Sequence, residues 1–167
     1  KGIAFQWAGK FAIAQAAEDY PEVAFIHSEG ECGDGNNTWD YAMYTYEMYH
    51  HYFKNGARAN VYWNMALDND GLSSWGWRQN SLISVKNGEY RYNPEFYLVK
   101  HFAKFVKRGA VMLATTGDFS SNTTVFENAD GSRVAVIVNP FGFEKTVSLE
   151  NTSYTLKPRS FNTIVLD

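Results

Sequence analysis

One carboxylate stands apart by its setting. Glu29 follows the apolar run Val23-Ala24-Phe25-Ile26 after His27 and Ser28, where the chain leaves an expected strand. A carboxylate at such a point is either aimed into a pocket as a nucleophile or base, or paired inside the core. Gln6 and Trp7 end the preceding apolar run and Trp63 ends the following one, so two indoles and an amide occupy equivalent strand ends. Indole faces stack on the C–H face of a pyranose and amides bond its hydroxyls. A carboxylate among them can attack or stabilise an oxocarbenium-like centre. Glu31 could supply a second carboxylate, but reads more readily as a loop charge.

Other groups carry weaker signals. Asp34-Gly35-Asn36 and Asp68-Asn69-Asp70-Gly71 lack the terminal Glu of a calcium loop and read as turns. His27, His50, His51 and His101 make no ligand spacing, so no metal is assigned, and no cofactor is expected. Cys32 has no His motif beside it and reads as a small buried or loop cysteine. The Gly30 to Gly35 stretch lacks the spacing of a dinucleotide loop. Trp75 and Trp77 flank Gly76 in a long loop expected from Asn64 to Asn93. They make either a stacking platform or two pins that hold the loop to the core.

The elements that must position these groups change character near Gly109. Before it, strands at Gly2 to Trp7, Val23 to His27 and Ala59 to Trp63 alternate with helical spacing. The helical positions are Ile13, Ala16, Ala17 and Tyr20; then Ala42, Tyr46, Tyr49 and Phe53; then Phe96, Val99, Ala103 and Val106. Thr38 is a candidate N-cap, and Asn93-Pro94 reads as N-cap plus first-turn proline. The near-continuous apolar run at Val23 predicts a strand covered on both faces. This βα repeat implies parallel strands, either the last three units of an eight-fold (β/α)8 barrel or a small open sheet. After Gly109 the period is two, with a hairpin signal at Asp130-Gly131 and further strands at Thr146, Tyr154 and Phe161, which predicts an antiparallel β-sandwich. The expected domains are 1–108 and 109–167.

Composition excludes several classes. Of 167 residues, 45% are apolar and 20% charged, too apolar for a disordered chain. No apolar run reaches the ~20 residues of a membrane span. The net charge of −3 has no basic block, which argues against a nucleic-acid partner. The aromatic share of 17% exceeds what the core requires. Lys1 leads straight into a strand, so the chain reads as the C-terminal piece of a longer protein.

The residues resemble glycoside hydrolase family 30. The resemblance is carried by Gly2-Ile3-Ala4-Phe5-Gln6-Trp7, Ser28-Glu29, Tyr62-Trp63-Asn64, Trp75-Gly76-Trp77-Arg78-Gln79-Asn80-Ser81-Leu82-Ile83, Asn93-Pro94-Glu95-Phe96-Tyr97 and Lys100-His101-Phe102. The stretch Glu29 to Asn37 looks more like the β-1,6-glucanase branch than the glucosylceramidase branch. The resemblance implies barrel units six to eight followed by sandwich strands, and a substrate of β-linked glucose. It implies Glu29 as nucleophile, Gln6, Trp7 and Trp63 lining the glycone site, and Asn80 near it. The acid/base carboxylate of that family lies after its fourth strand and has no counterpart here. The chain alone is therefore expected to be inactive, and the missing barrel half or a second copy is an expected partner. The alternative is a non-catalytic carbohydrate-binding or structural fragment. A secreted, periplasmic or lysosomal-like compartment is implied.

Overall fold

The computed structural model describes residues 1–68 and 71–166. It divides into two compact units, Lys1–Phe96 and Tyr97–Asp167.

The first unit is built on a parallel sheet of β1 (Gly2–Gln6), β2 (Ala24–Glu29) and β3 (Ala57–Asn60), adjacent in chain order. Helices α1 (Ile13–Asp19) and α2 (Trp39–Lys54) make the crossovers. Both pack on one face, where Phe5, Ile13, Phe25, Tyr52 and Ala57 form a buried cluster. The opposite face is open in this chain. Ile3 is 39% and Ile26 38% exposed, whereas their neighbours Phe5 and Phe25 are 7% and 3%. This corrects the expectation that the second strand is covered on both faces. Its first three residues, Ala24, Phe25 and Ile26, are all apolar, but burial alternates along it because helices lie on one side only.

The strand ends also differ from expectation. Ser28 and Glu29 lie inside β2 rather than after it, and Trp7 begins a 3-10 turn, Trp7–Phe11. β3 starts two residues early and ends before Trp63. Thr38 caps α2 as expected, its hydroxyl accepting from the Tyr41 N–H at 3.2 Å. The buried stripe of α2 is Ala42, Thr45, Tyr46, Tyr49 and Tyr52, with Tyr52 rather than Phe53 on the sheet.

The segment 64–93, expected as one long loop, carries a small mixed sheet. β4 (Ala66–Asp68) pairs parallel with β5 (Ile83–Lys86), and β5 antiparallel with β6 (Glu89–Tyr92). α3 (Pro94–Phe105) follows with proline at its first position. Its buried positions are Glu95, Leu98 and Phe102, one residue out of step with the expected stripe. Reading that stripe from apolar residues alone excluded Glu95, and so rotated the helix by about 100°. The Asn93 side chain does not cap α3. Its amide nitrogen donates to Ser81 O and Ser84 Oγ, each at 2.8 Å.

The second unit holds the remainder of α3 and an antiparallel sheet. The sheet contains β7 (Val111–Leu113), β8 (Thr123–Glu127), β9 (Arg133–Asn139) and β12 (Ser160–Leu166), in the order β12-β9-β8-β7. β10 (Lys145–Leu149) and β11 (Thr152–Leu156) form a second pair. Val125, Ala135, Ile137 and Leu166 from the first sheet share one core with Val147 and Leu156 from the second. On the other face, Phe126 meets Phe102 of α3 edge-on at 6.2 Å, and His101 Nδ1 bonds Thr163 Oγ1 at 2.7 Å. Period-two alternation thus serves two cores, which is why β9 is buried from Val134 to Asn139.

Candidate active site

The β1–β2 register runs residue for residue from Gly2↔Ala24 to Phe5↔His27, then slips so that Gln6 lies across from Glu29 instead of Ser28. Such an irregularity re-aims side chains at a sheet end. Here it brings three groups together. Trp7 Nε1 donates to Glu29 Oε1 at 2.7 Å. The Gln6 amide, its orientation assigned from the hydrogen-bond network, donates to Oε1 at 3.1 Å and Oε2 at 3.0 Å. Trp7 adopts φ +46°, a left-handed conformation costly for an aromatic residue. The strain turns its indole back onto the carboxylate. Glu29 is half-buried and Trp7 is 44% exposed, so the carboxylate has two donors on one side and open surroundings on the other. It can accept a proton or attack an electrophilic carbon.

Glu31 belongs to a separate cluster. Its carboxylate accepts from Lys10 Nζ at 2.5 Å and from Tyr44 OH at 2.9 Å, and its carbonyl accepts from Tyr41 OH. The bonds to Glu31 and then Tyr44 push the Lys10 ammonium up to about 12. These groups line a cavity of about 20 Å³ with His27, Tyr49 and Tyr52. That is room for about one water and not for a sugar. His27 stacks on Tyr52 at 3.9 Å and bonds Asn60 Oδ1 at 2.7 Å. Burial lowers its pKa against the raising effect of that bond. Burial likewise raises the Cys32 thiol.

Asn80 and Trp63 are placed differently from Gln6 and Trp7. Asn80 is 1% exposed. Its Oδ1 accepts from Gly35 N at 2.8 Å and Asn37 N at 3.3 Å, and its Nδ2 donates to Glu95 Oε1 at 2.7 Å. It buttresses the loop that follows Glu29. Gly33, at φ +71°, passes so close that a Cβ there would lie 2.5 Å from Asn80 Cγ. Trp63 is half-buried, beyond β3, with its backbone against Gly30. Neighbouring Asn64 donates to Gln79 Oε1 at 2.9 Å and so fastens the two loops together. Asp34 accepts from Asn36 N at 3.0 Å, which bears out a turn there. The companion stretch Asp68 to Gly71 lies partly outside the described residues.

The sequence did not point to Glu95. It is fully buried in the first turn of α3, its carboxyl pushed upward by burial. An acidic residue there reads as a response to the helix dipole. Only its pairing with Asn80 distinguishes it. Among the described residues no three His, Cys, Asp or Glu side chains gather as a metal site, and no helix is long and apolar enough to cross a membrane.

A carboxylate at the C-terminal end of parallel βα strands sits where barrel enzymes carry their catalytic groups, and relatives of this chain bear the names of glycoside hydrolases, endo-1,6-β-glucanases and glucosylceramidases. No family model matches the chain. It is 31% identical over 110 residues to an endo-1,6-β-D-glucanase of Trichoderma harzianum, which covers 60% of this chain and 22% of that protein. It is 38% identical over 78 residues to an endo-1,6-β-D-glucanase of Neurospora crassa, covering 42% and 16%. A Caenorhabditis elegans protein carrying a glucosylceramidase name is 26% identical over 175 residues, covering 92% and 33%.

Among solved structures, SrfJ of Salmonella typhimurium superposes with a TM-score of 0.81 at 26% identity, over 99% of this chain and 40% of that one. The endo-β1,6-glucanase BT3312 gives 0.83 at 24%, over 97% and 40%, a likeness of fold. The catalytic domain of a family 30 xylanase from Talaromyces cellulolyticus gives 0.67 at 19%, over 86% and 41%. The resemblance to glycoside hydrolase family 30 is borne out by these relatives. The chain spans about a fifth of the length of the fungal glucanases it matches.

Proposed function

We propose that this chain is the C-terminal part of a retaining β-glycoside hydrolase acting on β-linked glucose, with Glu29 as its nucleophile. The observation that carries the reading is Glu29 itself: a carboxylate at the C-terminal end of the middle parallel strand, bonded by Gln6 and Trp7 on one side and open on the other. In retention the ionised carboxylate attacks the anomeric carbon as the glycosidic bond breaks. A second carboxyl group, ~5–5.5 Å away, protonates the leaving oxygen and then activates water to release the sugar. Glu31, tied to Lys10 and Tyr44, is a poor candidate for that role. The acid/base is therefore proposed to come from residues outside this chain.

Trp7 and Gln6 hold the nucleophile, Trp63 is proposed as a face for the glycone, and Asn80 is proposed to serve the same site through the loop it buttresses. Residues 1–108 are proposed as the end of a (β/α)8 barrel and 109–167 as a β-sandwich. Strands in chain order with both crossover helices on one face support the first, because a doubly wound sheet places helices on both. The open apolar face at Ile3 and Ile26 fits a sheet that continues into the missing barrel half, with a second copy as the other possible cover. Two sheets sharing one core support the sandwich. The compartment is proposed to be secreted, periplasmic or lysosomal-like.

The test is Glu29→Gln in the complete protein that contains this chain. Turnover of a β-glucan is expected to fall by on the order of 10³-fold or more with the fold unchanged. Activity within tenfold of the parent refutes the assignment.

A further inference from the structure

The hairpin at 71–79 presents two indoles that no part of the proposed chemistry uses. Trp75 is 72% exposed and Trp77 49%, and their rings stack at 5.4 Å with an interplanar angle of 20°. The same loop is held to the protein by its polar residues. Gln79, Asn80 and Ser81 are 6%, 1% and 1% exposed. The loop is therefore anchored chiefly by these residues rather than by the Trp75 indole.

The hairpin is also built to hold the pair still. Ser73 N donates to Trp77 O at 2.9 Å, Gly76 N to Ser73 O at 3.0 Å, and Gln79 N to Gly71 O at 3.0 Å. Gly76, between the two indoles, takes φ +90°. That conformation favours glycine and sets the two flanking side chains on one side of the turn. A Cβ at this position would meet nothing within 4 Å, so the demand is conformational alone.

The pair lies beside the loop that Glu29 leads into. Asn80 N donates to Cys32 O at 2.6 Å, and the Trp77 indole interacts with the Cys32 thiol. Two residues, Gly30 and Glu31, lie between Glu29 and Cys32, so their Cα atoms are at most ~11 Å apart. The indoles are thus within reach of a short oligosaccharide bound at Glu29.

We propose that Trp75 and Trp77 form a carbohydrate subsite that takes the glucan chain beyond the sugar bonded at Glu29. An exposed, near-parallel indole pair offers a flat apolar face with polar edges, which complements the C–H face of a pyranose ring. A rigid hairpin offers it at little ordering cost. The inference rests on the glycosidase reading above and deepens it: the enzyme would prefer an oligomeric or polymeric glucan to a small glucoside.

The experiment is calorimetric titration of glucose and a ladder of its β-linked oligomers into the complete protein carrying Glu29→Gln. The same titration is run with Trp75→Ala and Trp77→Ala together, and with both as Phe. The Ala pair is expected to weaken oligomer binding about tenfold or more while leaving glucose binding unchanged, and the Phe pair to restore most of the loss. Equal oligomer affinity in parent and Ala pair overturns the subsite and leaves the function standing. A parent that binds no glucan of any length overturns both. Indoles already shielded from acrylamide quenching without ligand also overturn the subsite, because another segment would then cover them.

Discussion

Replacing Asn80 by Ala removes an amide that joins three backbone and side-chain groups at once. Gly35 N and Asn37 N lose their acceptor, and Glu95 Oε1 loses its donor. A buried polar group left without a partner costs about 1–3 kcal/mol. Glu95 is fully buried and should carry most of that cost. The two loop amides are only part-buried and can turn to water, so each contributes near the lower bound. The sum is about 3–5 kcal/mol, read as a shift in the urea midpoint at constant slope. Asn80→Asp separates hydrogen bonding from packing. It keeps the acceptor for the loop but sets a second carboxyl against Glu95, so one of the two must be protonated. That variant should be destabilised at neutral pH and recover toward acid. An Ala variant within about 1 kcal/mol of the parent, or an Asp variant with no recovery in acid, would refute the reasoning.

Two further outcomes test other elements. Burial raises the Glu95 carboxyl above its ordinary value of 4.5. The protonated form is then favoured in the fold, so the stability it contributes is present below that value and is lost as pH rises through the folded one. Glu95→Gln should flatten the fall in stability above pH 4.5 and be at least as stable as the parent at pH 7; an unchanged slope in pH-dependent urea melts would contradict it. Thr38→Ala should cost about 1 kcal/mol in thermal unfolding, and Thr38→Ser should recover most of it, because only the hydroxyl cap to Tyr41 is lost.

The order of strands and helices was legible because Phe5, Phe25 and the α2 stripe obey simple periods. The capping of α2 was legible because Thr38 has local chemistry. What escaped was decided by tertiary partners. β6 is exposed along its whole length, Glu89 to Tyr92, and offers no apolar signal. β4 has three residues. The rotation of α3 depends on a carboxyl that burial tolerates because Asn80 meets it. At the site, strand-end logic placed Gln6, Trp7 and Glu29 on one rim. It could not foresee the register slip that sets Gln6 opposite Glu29, since a slip leaves no mark in residue types. Nor could spacing alone show that the Asn80 amide is engaged within its own loop network.

The helix α3 has a consequence for anyone who would dissect or shuffle this protein. The boundary between the two compact units falls at Phe96 and Tyr97, inside the first turn of a helix that runs from Pro94 to Phe105. In an α-helix each early carbonyl is closed by the N–H four residues later, so the turn carrying Glu95 is completed by residues on the far side of that boundary. A cut or a recombination joint placed there would leave Glu95 on an unravelled end. Asn80, and with it the loop after Glu29, would lose its anchor. A modular exchange of the C-terminal unit succeeds only if the joint moves upstream of Asn93 or downstream of Phe105, so that the whole helix travels with one parent.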